Sequence, residues 1–287
     1  RTKKWLPLWL SEVSELHRQV EHSSQKNILI FTTLRYWIEH ATLLGIAMAG
    51  LGHRVTLSFM PYANWHASLN QFDIRRNNTY IKSILQPAKP YLNIASLLDI
   101  RADRIALPET ISTALDEIAV RDVQYTKQIE RVDPSSDLYL LRKQRNTSAA
   151  QAELHLMKSN RPDVLLTPNG SIFEMGAVFQ VARYLDVPTV TYEFGEQRDR
   201  IWLAQNSEVM LQETDDMWSA RRVSTLTHEQ SEKIRALYDS RQGAKLWKNF
   251  TRRWQDSAHR GGEATRNQLG LDRRPIVLLA ANVIGDS

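Results

Sequence analysis

Residues 27–59 read NILIFTTLRYWIEHATLLGIAMAGLGHRVTLSF. Asn27 to Leu34 is an apolar, β-branched run of the kind found in central parallel strands. Glu39 to Ala49 suits a helix, with Leu43, Leu44, Ala47 and Met48 available to cover a sheet. Gly50-Leu51-Gly52-His53 then supplies the glycine punctuation expected at a helix C-terminus. Val55 to Phe59 makes the next strand. Two strands joined through a helix form a βαβ unit, and its crossover implies parallel pairing.

A second such unit starts at Pro162. Asp163 to Thr167 reads as a strand, Pro168-Asn169-Gly170 as a turn and Ser171 to Leu185 as a helix, before the strand Thr189 to Phe194. Short joins of this kind belong to an open α/β sheet. Between Asn64 and Leu107 the pattern weakens, and Tyr91 to Leu98 fits either a strand or helical turns. Thr113 to Val132 and Ser136 to Lys158 follow as helical candidates, the second carrying Leu138, Leu141, Ala149, Ala152 and Leu156. After Trp202 the pattern again reads helical. Thr227 with Gln230 predicts a capping box for a helix to about Tyr238. A further helix is expected over Ala244 to Ser257, broken by Gly261-Gly262.

The two ends raise separate expectations. Leu6, Trp9, Val13, Leu16 and Val20 fall on one side of a helix. That stripe packs against the domain behind it or, with Arg1, Lys3, Lys4 and two tryptophans, makes a peripheral membrane contact. Pro275 to Asn282 reads as a fully buried strand and Gly285-Asp286-Ser287 as its following turn. A single strand needs a sheet to join, so a new domain is expected to begin there and the chain to be incomplete.

Composition narrows the chemistry. At 287 residues, 42% hydrophobic and 24% charged, the chain has the makings of a folded protein with a sizeable core. With no cysteine it has no disulfide framework and no thiolate metal site or nucleophile. The eight histidines form no HExxH set, and no metal is expected. The sequence lacks GxxxxGK[ST] and GxSxG, which argues against a P-loop nucleotide hydrolase and a hydrolase triad. Gly50-Leu51-Gly52 sits at a helix end and is no dinucleotide fingerprint. Of the net charge of +5, Ser219 to Arg274 contributes 13 basic and 6 acidic residues. Such a face suits an anionic partner or an ordinary solvated helix; no nucleic-acid-reading module accompanies it.

Open parallel sheets bind ligands beyond the carboxyl ends of their strands. Three loops qualify. The first, Thr32 to His40, offers Thr33, Arg35, Tyr36 and Trp37 to a sugar, with His40 or Glu39 as a general base on an acceptor hydroxyl. Opening the helix is the competing role for Glu39 and His40. In the second, Gly170 lets a ligand approach backbone amides, beside Asn169, at a helix start. Ser171 and Glu174 have capping-box spacing, which accounts for both without a ligand. The third, Glu193 to Arg200, holds Glu193 and Glu196 as acceptor-orienting or base candidates and Arg198 as a phosphate contact; mutual salt bridges are the alternative.

The strand ending at Leu34, its helix, and Ala49-Gly50-Leu51-Gly52-His53-Arg54-Val55-Thr56 resemble the opening of GT-B glycosyltransferases. Pro168-Asn169-Gly170, Pro188 to Glu193 and Pro275 to Ser287 fit the same resemblance, which looks most like bacterial capsule and surface-polysaccharide enzymes. It implies a Rossmann-like parallel sheet forming an N-terminal, acceptor-side lobe, with the first strand of a donor lobe at the end. The implied divisions are a helical extension over 1–26, an acceptor-side domain over 27–218, a basic helical segment over 219–274 and the start of a donor-binding domain over 275–287. By that similarity Asn282, Asp286 and Ser287 face the cleft and contact the donor.

The implied reaction moves a sugar from a nucleotide-sugar co-substrate to a saccharide or lipid-linked acceptor, with no tightly bound cofactor, in the cytoplasm or at the inner face of the membrane. The piece ending at Ser287 is expected to be inactive alone. A nucleotide-sugar epimerase-like enzyme and a non-catalytic Rossmann-like scaffold are the competing readings. Donor, acceptor, linkage, stereochemistry and oligomeric state are left open.

Overall fold

The computed structural model of the chain describes residues 2–19, 25–102, 105–198, 200–248, 250–253 and 255–277. These divide into two compact units. The first runs to Glu193 and takes in Leu203–Gln212; the second comprises Phe194–Trp202 and the chain from Glu213 onward.

The first unit is built on the segment quoted above. β1 (Asn27–Thr33) leads through α2 (Arg35–Gly50) into β2 (Arg54–Met60), and then through α3 (Gln71–Leu85) to β3 (Leu92–Ser96). α4 (Glu109–Lys127) and α5 (Asp137–Ser159) cross to β4 (Val164–Pro168). α6 (Phe173–Tyr184) then leads to β5 (Thr189–Phe194), and β6 (Ile201–Gln205) closes the sheet. The strand order is β3-β2-β1-β4-β5-β6. β1 pairs in parallel with β2 and with β4, as do β2 with β3 and β4 with β5. β6 returns antiparallel: the Gly195 N–H donates to the Arg200 carbonyl, and the Asn206 N–H to that of Thr189.

This is a Rossmann-like α/β domain whose sheet is mixed, where the sequence implied a parallel one. The segment after Trp202, expected to be helical, supplies part of the antiparallel edge. Ile201, Trp202 and Leu203 of β6 are exposed, so the strand carries little of the burial pattern that marks its neighbours.

Both faces of β1 are buried, which explains its continuous apolar run. Ile28 and Ile30 join Val55, Leu57 and Phe59 of β2 beneath α2 and α1 (Thr2–Gln19). Leu29 and Phe31 join the opposite core, built with α4, α5 and α6. α1 packs as one of its two readings required, with Leu6 and Val13 buried. A Cβ at Gly50 would lie 3.0 Å from Val13 Cγ1, so the glycine allows α1 and α2 to approach closely. Val20 lies outside the described residues.

The second unit contains α7 (Asp215–Arg221), α8 (His228–Gln242) and α9 (Gly262–Leu269). α8 opens with the expected box: Thr227 Oγ1 accepts the Gln230 N–H, and the Gln230 side chain accepts the Thr227 N–H. No helix covers the described part of 244–257. Gly261, at φ 85°, starts a helix instead of ending one. Pro275 to Val277 are not in a strand and Val277 is 95% exposed; the rest of that predicted strand lies outside the described residues. Among the described residues no helix is long and apolar enough to cross a membrane.

Candidate functional site

The chain leaves β1 for a helix serving β2 and leaves β4 for a helix serving β5, so the connections diverge where β1 and β4 lie side by side. Such a switch point opens a crevice beyond the strands' carboxyl ends. Both exits are strained. Leu34, between β1 and α2, sits at φ 61° and ψ 140°. After β4, Asn169 (φ 59°), Gly170 (φ 85°) and Phe173 (φ 57°), the first residue of α6, all have positive φ. Strained non-glycine residues of this kind persist only where surrounding structure holds them.

Several residues singled out in the sequence meet here. In the first turns of α2, the Tyr36 and Trp37 rings lie 5.3 Å apart between centroids. Trp37 makes an edge contact with His40 at 6.2 Å. Tyr192, from the end of β5, touches both: 5.7 Å from Trp37 and 5.4 Å from His40. The neighbouring Glu193 carboxylate accepts from Asn169 Nδ2 at 3.5 Å. Burial lowers the His40 pKa, favouring the neutral imidazole that can accept a proton. Burial raises the Tyr36 phenol, with the Glu193 charge adding to it. Tyr192 is raised for the same two reasons, burial first. The Tyr192 hydroxyl is buried with no hydrogen-bond partner among the described residues. Both phenols are therefore held protonated, as donors.

The β4–α6 loop is held differently from expectation. Ser171 and Glu174 form no capping box. Asn169 Oδ1 accepts the Ser171 and Ile172 N–H groups, at 2.9 and 3.3 Å. Asp122 Oδ1 from α4 accepts the Phe173 N–H at 2.7 Å. A protein carboxylate thus occupies the position at the start of α6 where a ligand anion was anticipated. Glu174 points inward to Arg142 Nη2 at 2.9 Å. Arg142 also donates to Asp122 and Asn146, and its guanidinium lies 4.8 Å from the Phe173 ring centroid. Beside it Arg145 donates to the carbonyls of Asn64 and Ala67 and lies 4.1 Å from the Tyr62 ring centroid. This buried network ties the loop after β2 and the loop after β4 to α4 and α5.

Gly170 is the tightest point of that loop. A Cβ there would stand 2.6 Å from Thr191 Cγ2, and its φ is one that other residues rarely adopt. Gly170→Ala is expected to cost about 2 kcal/mol of stability, measured by urea denaturation. An unchanged midpoint would show that the loop relaxes freely.

The remaining candidates are dispersed. Thr33 is fully buried, its hydroxyl donating to the Met60 carbonyl at 3.5 Å. Arg35 and Glu39 pair with one another at 3.5 Å and line a cleft between α2 and α3. Glu196 and Arg198 belong to the second unit, where Arg252 Nη2 donates to Glu196 Oε1 at 2.6 Å. Asn282, Asp286 and Ser287 lie outside the described residues. A groove of 1010 Å³ opens at the amino ends of β1–β3, with Arg54 and Lys89 on its walls. Helices of this fold end there, and basic residues complement the negative ends of helix dipoles. No cluster of three or more His, Cys, Asp or Glu able to hold a metal occurs among the described residues.

Sequence reading missed Tyr192 as a site residue and missed the whole Asp122–Arg142–Glu174 network. Its signal was present as polar residues at core spacing: Tyr139, Arg142, Asn146, Ala149 and Glu153 recur every three or four positions along α5 and are all buried.

No protein-family model and no curated protein matches the sequence significantly. Among solved structures, the chain is similar to the calicheamicin glycosyltransferase CalG4, at 14% identity and a TM-score of 0.32, over 75% of this chain and 42% of that one. It is also similar to pantothenate synthetase from Thermus thermophilus. One structure of that enzyme gives 12% identity and a TM-score of 0.33, and another 15% and 0.31, each over 81% of this chain and 72% of that one. The chain therefore spans less than half the length of the glycosyltransferase. Likenesses this weak select neither activity; the Rossmann-like assignment rests on the strand order.

Proposed function

We propose that the chain is the acceptor-side lobe of a glycosyltransferase that moves a sugar from a nucleotide-sugar to a saccharide or lipid-linked hydroxyl. The observation that carries this reading is the convergence of Tyr36, Trp37, His40, Tyr192, Glu193 and Asn169 beyond the ends of β1, β4 and β5. Tyr36, which is exposed, offers an aromatic face to a sugar ring, with Trp37 and Tyr192 buried behind it. A carboxylate and a carboxamide hydrogen-bond its hydroxyls. His40, kept neutral by burial, takes the proton as the acceptor oxygen attacks the anomeric carbon and the nucleotide diphosphate departs. The donor site, with Asn282, Asp286 and Ser287, belongs to the same proposal, in a domain beginning near residue 275.

The test uses the protein carrying this chain together with its donor-binding lobe. It is incubated with a panel of nucleotide sugars, with and without saccharide acceptors, and release of nucleotide diphosphate is followed. Acceptor-dependent release is expected, and His40→Ala should lower kcat by about 10²–10⁴ while the fold survives. Sugar interconversion without acceptor would replace the reading with an epimerase. Absence of both turnover and saccharide binding would leave a scaffold.

A further inference from the structure

α2 presents two different surfaces. Trp37 and His40 meet Tyr192, with Tyr36 against Trp37, whereas Arg35, Ile38 and Glu39 face α3 across a cavity of about 170 Å³. Its walls are largely carbon. Ile38, Tyr62 and Leu85 are buried side chains along it, and Ile81, Ile84 and Tyr80 of α3 stand opposite. An apolar cavity of about 150 Å³ takes up benzene, so the space fits one six-membered ring.

The polar atoms define what that ring carries. Arg35 Nε lies 3.5 Å from Glu39 Oε1, and the guanidinium lies 5.9 Å from the Tyr80 ring centroid. Asn77 also lines the cavity, and no hydrogen bond among the described residues engages its carboxamide. The cavity is thus lined by one guanidinium, one carboxylate and one carboxamide, beside the Tyr62 and Tyr80 phenols. A net charge on the ligand would gain from one member of the ion pair and be repelled by the other. A hydroxyl suits both, donating to Glu39 and accepting from Arg35. We infer that the α2–α3 cleft is a binding pocket for a single uncharged ring, aromatic or alicyclic, bearing a hydroxyl group. This pocket is independent of the transferase reading, and it stands whether or not a saccharide binds at Tyr36 and Glu193.

The experiment titrates the full chain with phenol and with cyclohexanol, using glucose as the polar control, and follows backbone amide shifts. Saturable shifts confined to α2, α3 and the loop at Pro61, Tyr62 and Ala63 are expected, with dissociation constants on the order of millimolar for ligands this small. Ile84→Phe, which fills the cavity from a half-buried wall, should raise the dissociation constant at least tenfold. Glu39→Gln should raise it a few-fold. Should Ile84→Phe fail to fold, Ala63→Phe in the exposed loop makes the same comparison. Non-saturable shifts, equal responses to glucose, or unchanged binding by the filled variant would each overturn the inference and reduce the cleft to a packing defect.

Discussion

Arg142→Ala is expected to lower the folding free energy by about 3–5 kcal/mol, the cost of breaking a buried ion pair from one side. The side chain is fully buried. Its Nε donates to Asp122 Oδ2 at 3.0 Å and its Nη2 to Glu174 Oε1 at 2.9 Å and Asn146 Oδ1 at 3.0 Å. Burial opposes the charge on the guanidinium, but the carboxylates of Glu174 and Asp122 outweigh it and hold Arg142 protonated. Removing the cation leaves the Asp122 and Glu174 carboxylates in the core without the guanidinium that pairs with both, Arg145 remaining as a more distant charge on Glu174. Chemical denaturation of Arg142→Ala alone and combined with Asp122→Asn and Glu174→Gln separates charge from packing. The triple variant should recover part of the loss, because its amides no longer need a cation. If it recovers nothing, the arginine acts through packing on Phe173 and not through charge.

The second large effect is a dependence of stability on pH. Glu153 on α5 is fully buried and accepts one hydrogen bond, from Ser58 on β2. Its other oxygen has no partner among the described residues. Burial pushes its pKa from 4.5 up to about 7, with the Ser58 bond opposing only in part. Below pH 4.5 the carboxyl is neutral both folded and unfolded, so it contributes no pH dependence. Between 4.5 and 7 the folded chain holds a proton that the unfolded chain has released, so stability falls as pH rises. At about 1.4 kcal/mol per pKa unit the loss is complete near pH 8 at about 3 kcal/mol. Glu153→Gln removes the titration. Its stability relative to the parent should therefore climb by about 3 kcal/mol between pH 4.5 and pH 8, read from urea midpoints. A constant difference across that range would show that the carboxylate finds compensation when ionised.

These two residues also show where sequence reading stopped. Leu138, Leu141, Ala149, Ala152 and Leu156 marked α5 as a helix, but a reading of apolar residues alone assigned no place to Arg142 and Glu153. Their partners, Asp122, Glu174 and Ser58, are 20, 32 and 95 residues away in the chain. Nothing local announces such pairings. Ser171 and Glu174 had the spacing of a local cap, yet the ion pair with Arg142 and the reach of Asp122 to the Phe173 N–H took precedence. The expected helix over 244–257 failed for a related reason. With few apolar contacts nearby, helix propensity had no packed face to reinforce it.

What the sequence settled by itself was the set of short-range decisions: the β1–α2–β2 and β4–α6–β5 units, their parallel pairing and the rank of the loops that follow their strands. Burial on both faces and short crossovers leave few alternatives, so local patterning suffices. Tertiary structure alone decided which of those loops share chemistry. It brought Tyr192 to Trp37 and His40, turned Arg35 and Glu39 toward a different cleft, and put charged groups at core positions of α5. Each of these outcomes depends on which distant side chain is available to desolvate or neutralise a group, and that information is absent from any single stretch of sequence.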